Sequence, residues 1–365
     1  MFSFGIEHEV AFLNDLHQFA DFSCTEFDHF NQIIDQLPIY PDDYAQLRLG
    51  DAGIKQKRWY IEGFERFSED GKVIDCMPKG IEIRTTIHSS IQGAIAELSE
   101  SFSLLQQAAL QFGFTPVLVS FNPHYTAYEP KPPLNHYELQ RRQTSPEKQT
   151  AHIAMLTYGP DLNFSIAGLS PEQVIEIGQK LTFYSPYIVP FSFSSPFYCG
   201  KLWAGLSVRT YLRTGMRPAA MVFLEHADDL IASHPSLTKI ARIPSEVGRI
   251  EFKAFDSCDD FQLYAALLAL LKGIALDQSL GGYALIPDRQ LHQLSAIHGF
   301  ANDTIYHQAI QVLKAAEIAL EHDADRHLLQ PLWALLNQRA TPAHRFIQRF
   351  QQFGTLEQTL RQTYQ

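Results

Sequence analysis

The stretch Gly5-Ile6-Glu7-His8-Glu9-Val10 lies at the start of a chain of 365 residues and places two glutamates two positions apart. Successive side chains of a β-strand point to opposite faces, so Glu7 and Glu9 share one face. His8 points the other way, with the apolar residues, and we expect it to be structural. The stretch therefore predicts a strand with one apolar face and one face that carries carboxylates.

Two later segments repeat this pattern. Glu82 and Arg84 alternate with isoleucines in Gly80-Ile81-Glu82-Ile83-Arg84, and Glu251 lies between two cations in Arg249-Ile250-Glu251-Phe252-Lys253. Each segment again predicts an apolar face that packs on a core and a charged face on the other side. Three such strands would gather carboxylates and cations on one surface, which suits divalent metal ions and phosphate groups.

Carboxylates on apolar strands are costly to bury unless they pair with a cation or bind a metal. A salt bridge at a strand end explains any single one of them at least as well, so the metal hypothesis depends on their number. Oxygen ligands favour Mg²⁺ or Mn²⁺, and a histidine is compatible with both, although a lone histidine is more often a core residue. The predicted metal ligands are Glu7, Glu9, Glu62, Glu82, His152 and Glu251.

Cationic side chains accompany the predicted carboxylate surface. Arg84 and Lys253 each follow a predicted metal ligand by two residues, so they can neutralise a transferring phosphoryl group beside the metal. Arg209 and Arg217 offer planar guanidinium groups for two-pronged binding of phosphate or carboxylate, with a structural ion pair as the alternative. For the neighbouring Arg213 we expect only a structural role.

The bulk composition narrows the classes of function. The net charge is -11 and dense basic runs are absent, which argues against nucleic acid as a partner. No membrane span or secretory leader is recognisable, so we expect a cytoplasmic protein whose four scattered cysteines stay reduced. The glycine-rich phosphate-binding motifs are also missing, so a bound ATP would have to be held by metals and cations.

The apolar periodicity predicts both strands and helices, and therefore an α+β protein. Helices are predicted over residues 89–113, from Ser170 onward, and over 259–280. Residues 122–150 are polar and contain prolines, which predicts a long loop that acts as a lid or a binding loop. The pattern after residue 300 is almost entirely helical. We predict a catalytic α+β domain over 1–283 and a C-terminal helical cap, packed on that core, over 284–365.

Together these segments resemble the glutamate–cysteine ligase family, of the bacterial carboxylate–amine ligase type. The resemblance is carried by the three carboxylate segments, the region around His152, the Ser-Pro-Phe turn within 194–200 and Ser207-Val208-Arg209, which span most of residues 5–260. It implies a glutamine-synthetase-like fold: a curved, mostly antiparallel sheet with helices on its outer face. The active site would lie on the concave face of that sheet.

The resemblance also implies ATP-dependent ligation, in which a substrate carboxylate attacks the γ-phosphate of ATP and an amine then displaces phosphate from the acyl phosphate. The implied ligands of one Mg²⁺ or Mn²⁺, on the ATP phosphates, are Glu7, His152 and Glu251. The implied ligands of a second metal, nearer the substrate, are Glu9, Glu82 and Glu62. The predicted contacts to phosphoryl group, substrate or ATP are Lys253, Arg84, Arg209, Arg217 and Ser195.

The chain departs from the family pattern at Lys253, where an arginine is usual, and it lacks a second histidine near His152. Lysine keeps the charge but loses the planar fork of arginine. We predict glutamate as the acyl donor and cysteine or another small amine as the acceptor, as in glutathione biosynthesis. A metal-dependent hydrolase and a non-catalytic protein that binds nucleotide or amino acid remain alternatives. The expected partners are small molecules, and a homo-oligomer is neither predicted nor excluded.

Overall fold

The computed structural model describes residues 1–50 and 54–364. The strands are β1 (Phe2–Leu13), β2 (Phe19–Ala20), β3 (Trp59–Phe67), β4 (Val73–Arg84), β5 (Thr115–Val117), β6 (Pro160–Ile166), β7 (Phe197–Tyr198), β8 (Lys201–Leu202), β9 (Ala220–Leu224), β10 (Thr238–Ile240) and β11 (Ile250–Phe252). The helices are α1 (Phe27–Gln36), α2 (Ile91–Gln111), α3 (His136–Arg142), α4 (Pro146–Gln149), α5 (Ala151–Ala154), α6 (Pro171–Ile188), α7 (Val208–Arg213), α8 (Phe261–Leu276), α9 (Arg289–His298), α10 (Asp303–Ala319), α11 (Gln330–Asn337), α12 (Ala343–Phe353) and α13 (Leu356–Leu360).

A curled sheet of nine strands organises the molecule. Its main path runs β10-β9-β11-β6-β1-β4-β3, and β2 and β5 pair with the far end of β1. The strand β1 is central, because its first half pairs with both β4 and β6. All the pairings are antiparallel except that of β9 with β10. The predicted curved, mostly antiparallel sheet with helices on its outer face is confirmed.

The two faces of the sheet differ as the alternation of residues predicts. The buried apolar side chains of one face include Ile6, Ile81, Ile83, Leu162, Phe164, Ile250 and Phe252, and they share one hydrophobic cluster with residues of α2, α6 and α8. The other face carries the carboxylates of the same strands. His8 lies on the apolar side, where its ring nitrogens meet the hydroxyl groups of Tyr264 at 3.0 Å and Tyr364 at 3.1 Å. Burial lowers the pKa of His8 to about 3, so the ring is neutral, as its expected structural role requires.

The predicted helices form near their predicted bounds because their ends carry the usual stop and start residues. Ser90 caps α2 by accepting a hydrogen bond from the backbone N–H of Gly93, and Gly113 follows the helix with φ +77°. Ser170 forms a capping box at the start of α6, where Pro171 occupies a position that needs no N–H donor. The helix predicted over residues 259–280 is α8, and most of its residues are buried.

The prediction for residues 122–150 was wrong in one respect, because the segment is not all loop. It contains α3 and α4, and each begins at a side-chain cap, Asn135 and Ser145 respectively. The carboxylate of Glu138 accepts hydrogen bonds at 2.7 and 3.0 Å from Arg66, which fixes α3 to β3. The segment is therefore a folded flap that packs along one edge of the polar face.

The C-terminal region is helical, as predicted, and packs on the apolar side of the sheet. Buried residues of α10 and α11 belong to the same hydrophobic cluster as those of α8. A shared cluster is compatible with a cap packed on the core, and the domain boundary at 283/284 stays a prediction. Within residues 1–50 and 54–364, no helix combines the length and the apolar character needed to cross a bilayer.

Candidate active site

Five acidic side chains from four neighbouring strands meet on the polar face of the sheet. Ligand oxygens of Glu7, Glu82 and Asp161 lie within 4.8 Å of one another, and so do those of Glu9, Glu62 and Glu82. The register explains this, since β1 places Glu7 opposite Asp161 and Glu9 opposite Glu82. Each group offers three oxygen ligands, and Glu82 belongs to both. Such a donor set fits two neighbouring Mg²⁺ or Mn²⁺ ions.

Glu62 reaches this surface from an irregular point of β3. The pairing of β3 with β4 shifts register between Glu62 and Gly63, which is a β-bulge or a related irregularity. Gly63 is required there, because a Cβ atom would lie 2.2 Å from the carbonyl oxygen of Met77. A larger residue at position 63 would displace the strand and the carboxylate beside it.

Burial and mutual repulsion raise the pKa values of Glu62, Glu82 and Asp161 in the two groups. Burial, followed by repulsion from Glu62 and Glu7, raises the pKa of Glu82 well above its ordinary value. Burial raises the pKa of Glu62 to about 7, with a further contribution from Glu9, and it raises that of Asp161 to about 8. Closely spaced, buried carboxylates hold protons more tightly, and a divalent cation bound beside them would displace those protons. The protein thus holds groups whose charge a divalent cation would balance.

Glu9 is held by a lysine that sequence reasoning missed. The ammonium group of Lys79, which is only 1% exposed, donates to Glu9 at 2.8 Å and to the carbonyls of Ala154 and Thr157. The second oxygen of Glu9 accepts from the backbone N–H of Gly159 at 2.8 Å. In a regular strand, Lys79 and Glu82 would point to opposite faces. The pairing of β3 with β4 is irregular at this point, so the role of Lys79 could not be predicted from residue spacing.

Glu251 lies among cations and in side-chain hydrogen-bond contact with Asp161, although among the described residues it belongs to neither three-carboxylate group. It pairs with Lys253 and, at 3.1 Å, with Arg249, while Lys253 also binds Asp161. Burial acts to raise the pKa of Glu251, but Lys253 and Arg249 outweigh it and leave the pKa lowered. Burial acts to lower the pKa of Lys253, which Asp161 and Glu251 nevertheless raise. Lys253 is therefore a cation that bridges Asp161 and Glu251 at the edge of the carboxylate groups.

The predicted grouping of Glu7, His152 and Glu251 is not the one the structure forms. In the described part of the chain, neither of the two carboxylate groups includes His152 or Glu251. His152 lies on the short helix α5, and burial, followed by the charge of Arg142, lowers its pKa. The third partner of Glu7 and Glu82 is instead Asp161. Its signal was the alternation Pro160-Asp161-Leu162-Asn163, in which Asp161 faces the same side as the glutamates of β1.

Three predicted contact residues are held by the protein itself. The Arg84 guanidinium donates to the backbone carbonyls of Lys57, Arg48 and Lys55, so it ties the backbone at these three residues to β4. Ser195 is buried and donates to Asp256 at 2.8 Å. Arg209 donates to the carbonyls of Lys253 and Ala254 at 2.9 and 3.2 Å, and so fixes the backbone that carries Lys253. Their predicted contacts to substrate or phosphate stay predictions.

A polar cavity of about 170 Å³ joins these groups. Its carboxylate side is lined by Glu7, Glu9, Glu62, Glu82, Asp161 and Glu251, and its cationic side by Arg209, Arg213, Arg217, Arg249 and Lys253. A second cavity of about 280 Å³ adjoins it at Glu62 and extends under the flap of α3 and α4. A third, of about 110 Å³, adjoins it at Glu7. Open space therefore lies on both sides of the carboxylate groups.

The polar face of the sheet thus carries two three-carboxylate groups beside cations, a set of side chains that suits divalent metal ions and phosphate. The model of glutamate–cysteine ligase family 2 matches residues 3–229, more than half of the chain. The chain belongs to this family. No curated protein matches the chain.

Solved structures show the same fold at low sequence identity. A bifunctional glutathione synthetase from Pasteurella multocida is 12% identical with a TM-score of 0.60, and the alignment covers all of this chain and 52% of that protein. The chain thus spans about half the length of that relative. A glutamate–cysteine ligase from Francisella tularensis, in complex with AMP, is 13% identical with a TM-score of 0.58 and coverages of 100% and 87%. The ligase PafA, in complex with the ubiquitin-like protein Pup, reaches a TM-score of 0.51 at 8% identity, with coverages of 98% and 70%.

Proposed function

We propose that the chain joins the side-chain carboxylate of glutamate to cysteine or another small amine at the expense of ATP, through an acyl phosphate. The observation that carries this proposal is the pair of three-carboxylate groups that share Glu82, with Lys253 beside them. Family membership supports the ligase class, and cavities adjoin the carboxylate groups on both sides, where nucleotide and substrate would lie.

The residues present fit divalent cations. Glu7, Glu82 and Asp161 would hold one ion, and Glu9, Glu62 and Glu82 the other. Mg²⁺ or Mn²⁺, when bound, would supply positive charge that balances the phosphate oxygens and the crowded carboxylates. His152 and Glu251 stay predicted ligands from the family resemblance. Glu251 already contacts Asp161 of the first group, whereas His152 belongs to neither group among the described residues.

The proposed reaction has two steps, and Lys253 is the residue that we assign to the first. A carboxylate oxygen of the donor forms a bond to the γ-phosphorus of ATP, and the bond from that phosphorus to ADP breaks. Lys253, already paired with Asp161 and Glu251, lies where it neutralises the phosphoryl oxygens as charge moves onto the leaving group. The amine nitrogen then bonds to the acyl carbon, phosphate leaves with one donor oxygen, and the nitrogen loses a proton.

The experiment that tests this proposal is a screen of ADP release with ATP, Mg²⁺, glutamate and a panel of amines that includes cysteine. The account expects ADP release that needs both glutamate and an amine, with the amide detected by mass spectrometry. Release of ADP and phosphate at the same rate without amine would indicate a metal-dependent hydrolase. Binding of ATP without turnover under every condition would indicate a non-catalytic family member.

A matched variant shows whether the activity belongs to this site. Glu97 is buried like Glu82, but its carboxylate accepts hydrogen bonds from Thr86 and belongs to neither three-carboxylate group of the described residues. Glu82→Gln should abolish ADP release, whereas Glu97→Gln should retain it in the fraction that folds. A cytoplasmic location and small-molecule partners stay expectations that accompany the proposed reaction.

A further inference from the structure

Three arginines at four-residue intervals line the cationic side of the polar cavity. Arg209 and Arg213 lie one helical turn apart on α7, so they share a face of that helix. Gly215 then turns the chain with φ +90°, in close contact with Arg289, where a Cβ atom would lie 2.6 Å away. This turn brings Arg217 back to the same cavity.

The three arginines differ in their partners. Arg209 lies 3.9 Å from the carboxylate of Asp256, and Arg217 lies 3.6 Å from that of Glu147. Arg213 donates one hydrogen bond, at 3.1 Å, to the carbonyl oxygen of Pro218. Across residues 1–50 and 54–364 it forms no salt bridge, although it is only 3% exposed. The middle arginine is therefore a buried cation without a carboxylate partner.

The surroundings of Arg213 make its charge unfavourable when the cavity holds no ligand. Burial, followed by repulsion from Arg209 and Arg217, lowers the pKa of Arg213 well below its ordinary value, although the carboxylates of Asp161 and Glu9 act in the opposite direction. An unpaired buried charge is costly, and a structural arginine would be expected to pair. Since the guanidinium lines the cavity that faces the carboxylate groups, a ligand there can supply the missing negative charge.

We propose that Arg213 binds an oxyanion of the ligand, either a phosphoryl group or a carboxylate, and that this ligand balances its charge. The proposal replaces the structural role that the sequence led us to expect. It rests on the proposed function for the identity of the ligands, ATP and glutamate. Planar, two-pronged donation suits both oxyanions, whereas a point charge at the same place suits them less well.

The test is calorimetric binding of MgATP, MgADP, adenosine, glutamate and inorganic pyrophosphate to Arg213→Met, Arg213→Lys and the wild type. Arg213→Met should weaken one class of ligand by about ten-fold or more, because a charge-assisted hydrogen bond is lost. The affinity of Arg213→Lys for that class of ligand should lie between those of Arg213→Met and the wild type. A loss for MgATP, MgADP and pyrophosphate assigns the phosphoryl source, and a loss for glutamate alone assigns the carboxylate source.

Stability separates ligand binding from a structural role. Because Arg213→Met removes an unpaired buried cation, the melting temperature without ligand should stay the same or rise. Arg326→Met, which removes an exposed pair with Glu317, serves as the control and should change no affinity. Unchanged affinity of Arg213→Met for all five probes would overturn the proposal, and so would an equal loss that includes the neutral adenosine.

The same measurements keep this proposal separate from the ligase assignment. A wild type that releases ADP with an amine, beside an Arg213→Met variant that binds every probe normally, would refute only the role of Arg213. A wild type that releases no ADP with any amine, yet binds pyrophosphate only when Arg213 is present, would refute the ligase assignment and leave this inference standing.

Discussion

Replacing Glu82 by glutamine should have opposite effects on the protein with and without metal. Glu82 belongs to both carboxylate groups, where the ligand oxygens lie within 4.8 Å of one another. Two ionised carboxylates at that distance repel by about 3.5 kcal/mol in an effective dielectric constant near 20. Protonation relieves part of this repulsion, as the raised pKa of Glu82 shows. The neutral amide of Glu82→Gln should therefore stabilise the metal-free protein by about 1–3 kcal/mol at pH 8.

In the presence of metal, the effect of Glu82→Gln on stability should reverse, because the substitution removes a ligand from both proposed metal sites. The wild type should gain melting temperature on addition of Mg²⁺, and Glu82→Gln should lose most of that gain. Turnover should fall by about a hundred-fold or more, since a lost ligand removes several kcal/mol of charge stabilisation. Differential scanning calorimetry in EDTA and in Mg²⁺ measures the stability of the metal-free protein and its response to Mg²⁺. The ADP-release assay on the same preparations measures turnover.

Glu97→Gln is the matched control, because it changes an equally buried glutamate that accepts hydrogen bonds from Thr86. It should lower the melting temperature in EDTA and retain the Mg²⁺ response of the wild type. The reasoning would be refuted if Glu82→Gln were destabilised in EDTA to the extent of Glu97→Gln while keeping the full response to Mg²⁺. That pattern would make Glu82 a structural residue.

Three further predictions concern Lys253, pH and the flap. Lys253→Met should lower kcat more than it raises KM for ATP, with Lys253→Arg retaining more activity; an unchanged kcat in steady-state assays would exclude Lys253 from catalysis. Because folding raises the pKa of Glu62 to about 7 and of Asp161 to about 8, these groups stabilise the metal-free protein at low pH and lose that effect as pH rises to about 8. Melting temperatures in EDTA should therefore fall over this range and Mg²⁺ should stabilise most at high pH, whereas a rise with pH that persists in Glu62→Gln would contradict the assignment. Residues 122–150 should resist limited proteolysis better with ATP, Mg²⁺ and substrate, and equal cleavage rates would argue against a lid.

The alternation of apolar and acidic residues was sufficient to predict the carboxylate surface. Glu7, Glu9, Glu82 and Glu251 lie on one face of the sheet because period two is a local property of each strand. The relation between strands is not local. Which side chain faces Glu7 depends on the register of β1 with β6, and that register places Asp161, rather than His152, opposite it. The three-carboxylate groups could therefore not be assigned from the sequence.

The flap shows a signal that was present but not used. Asn135 and Glu138 form a capping box at α3, and Ser145 precedes Pro146 at α4, so both helices have readable starts. The prolines and polar residues around them led to the prediction of a loop. The unpaired state of Arg213 is different in kind, because it depends on what surrounds the side chain after folding. No spacing rule could have distinguished Arg213 from Arg209 and Arg217.

The most direct test of the ligase mechanism follows the oxygen atoms of the acyl donor. Glutamate labelled with ¹⁸O in its side-chain carboxylate is incubated with ATP, Mg²⁺ and the amine that supports ADP release. Attack of the carboxylate on the γ-phosphate transfers one labelled oxygen to phosphorus, so the account predicts one ¹⁸O atom per phosphate released. The isotope content of the phosphate is measured by mass spectrometry. Released phosphate without ¹⁸O, at full ADP release, would contradict the acyl-phosphate route.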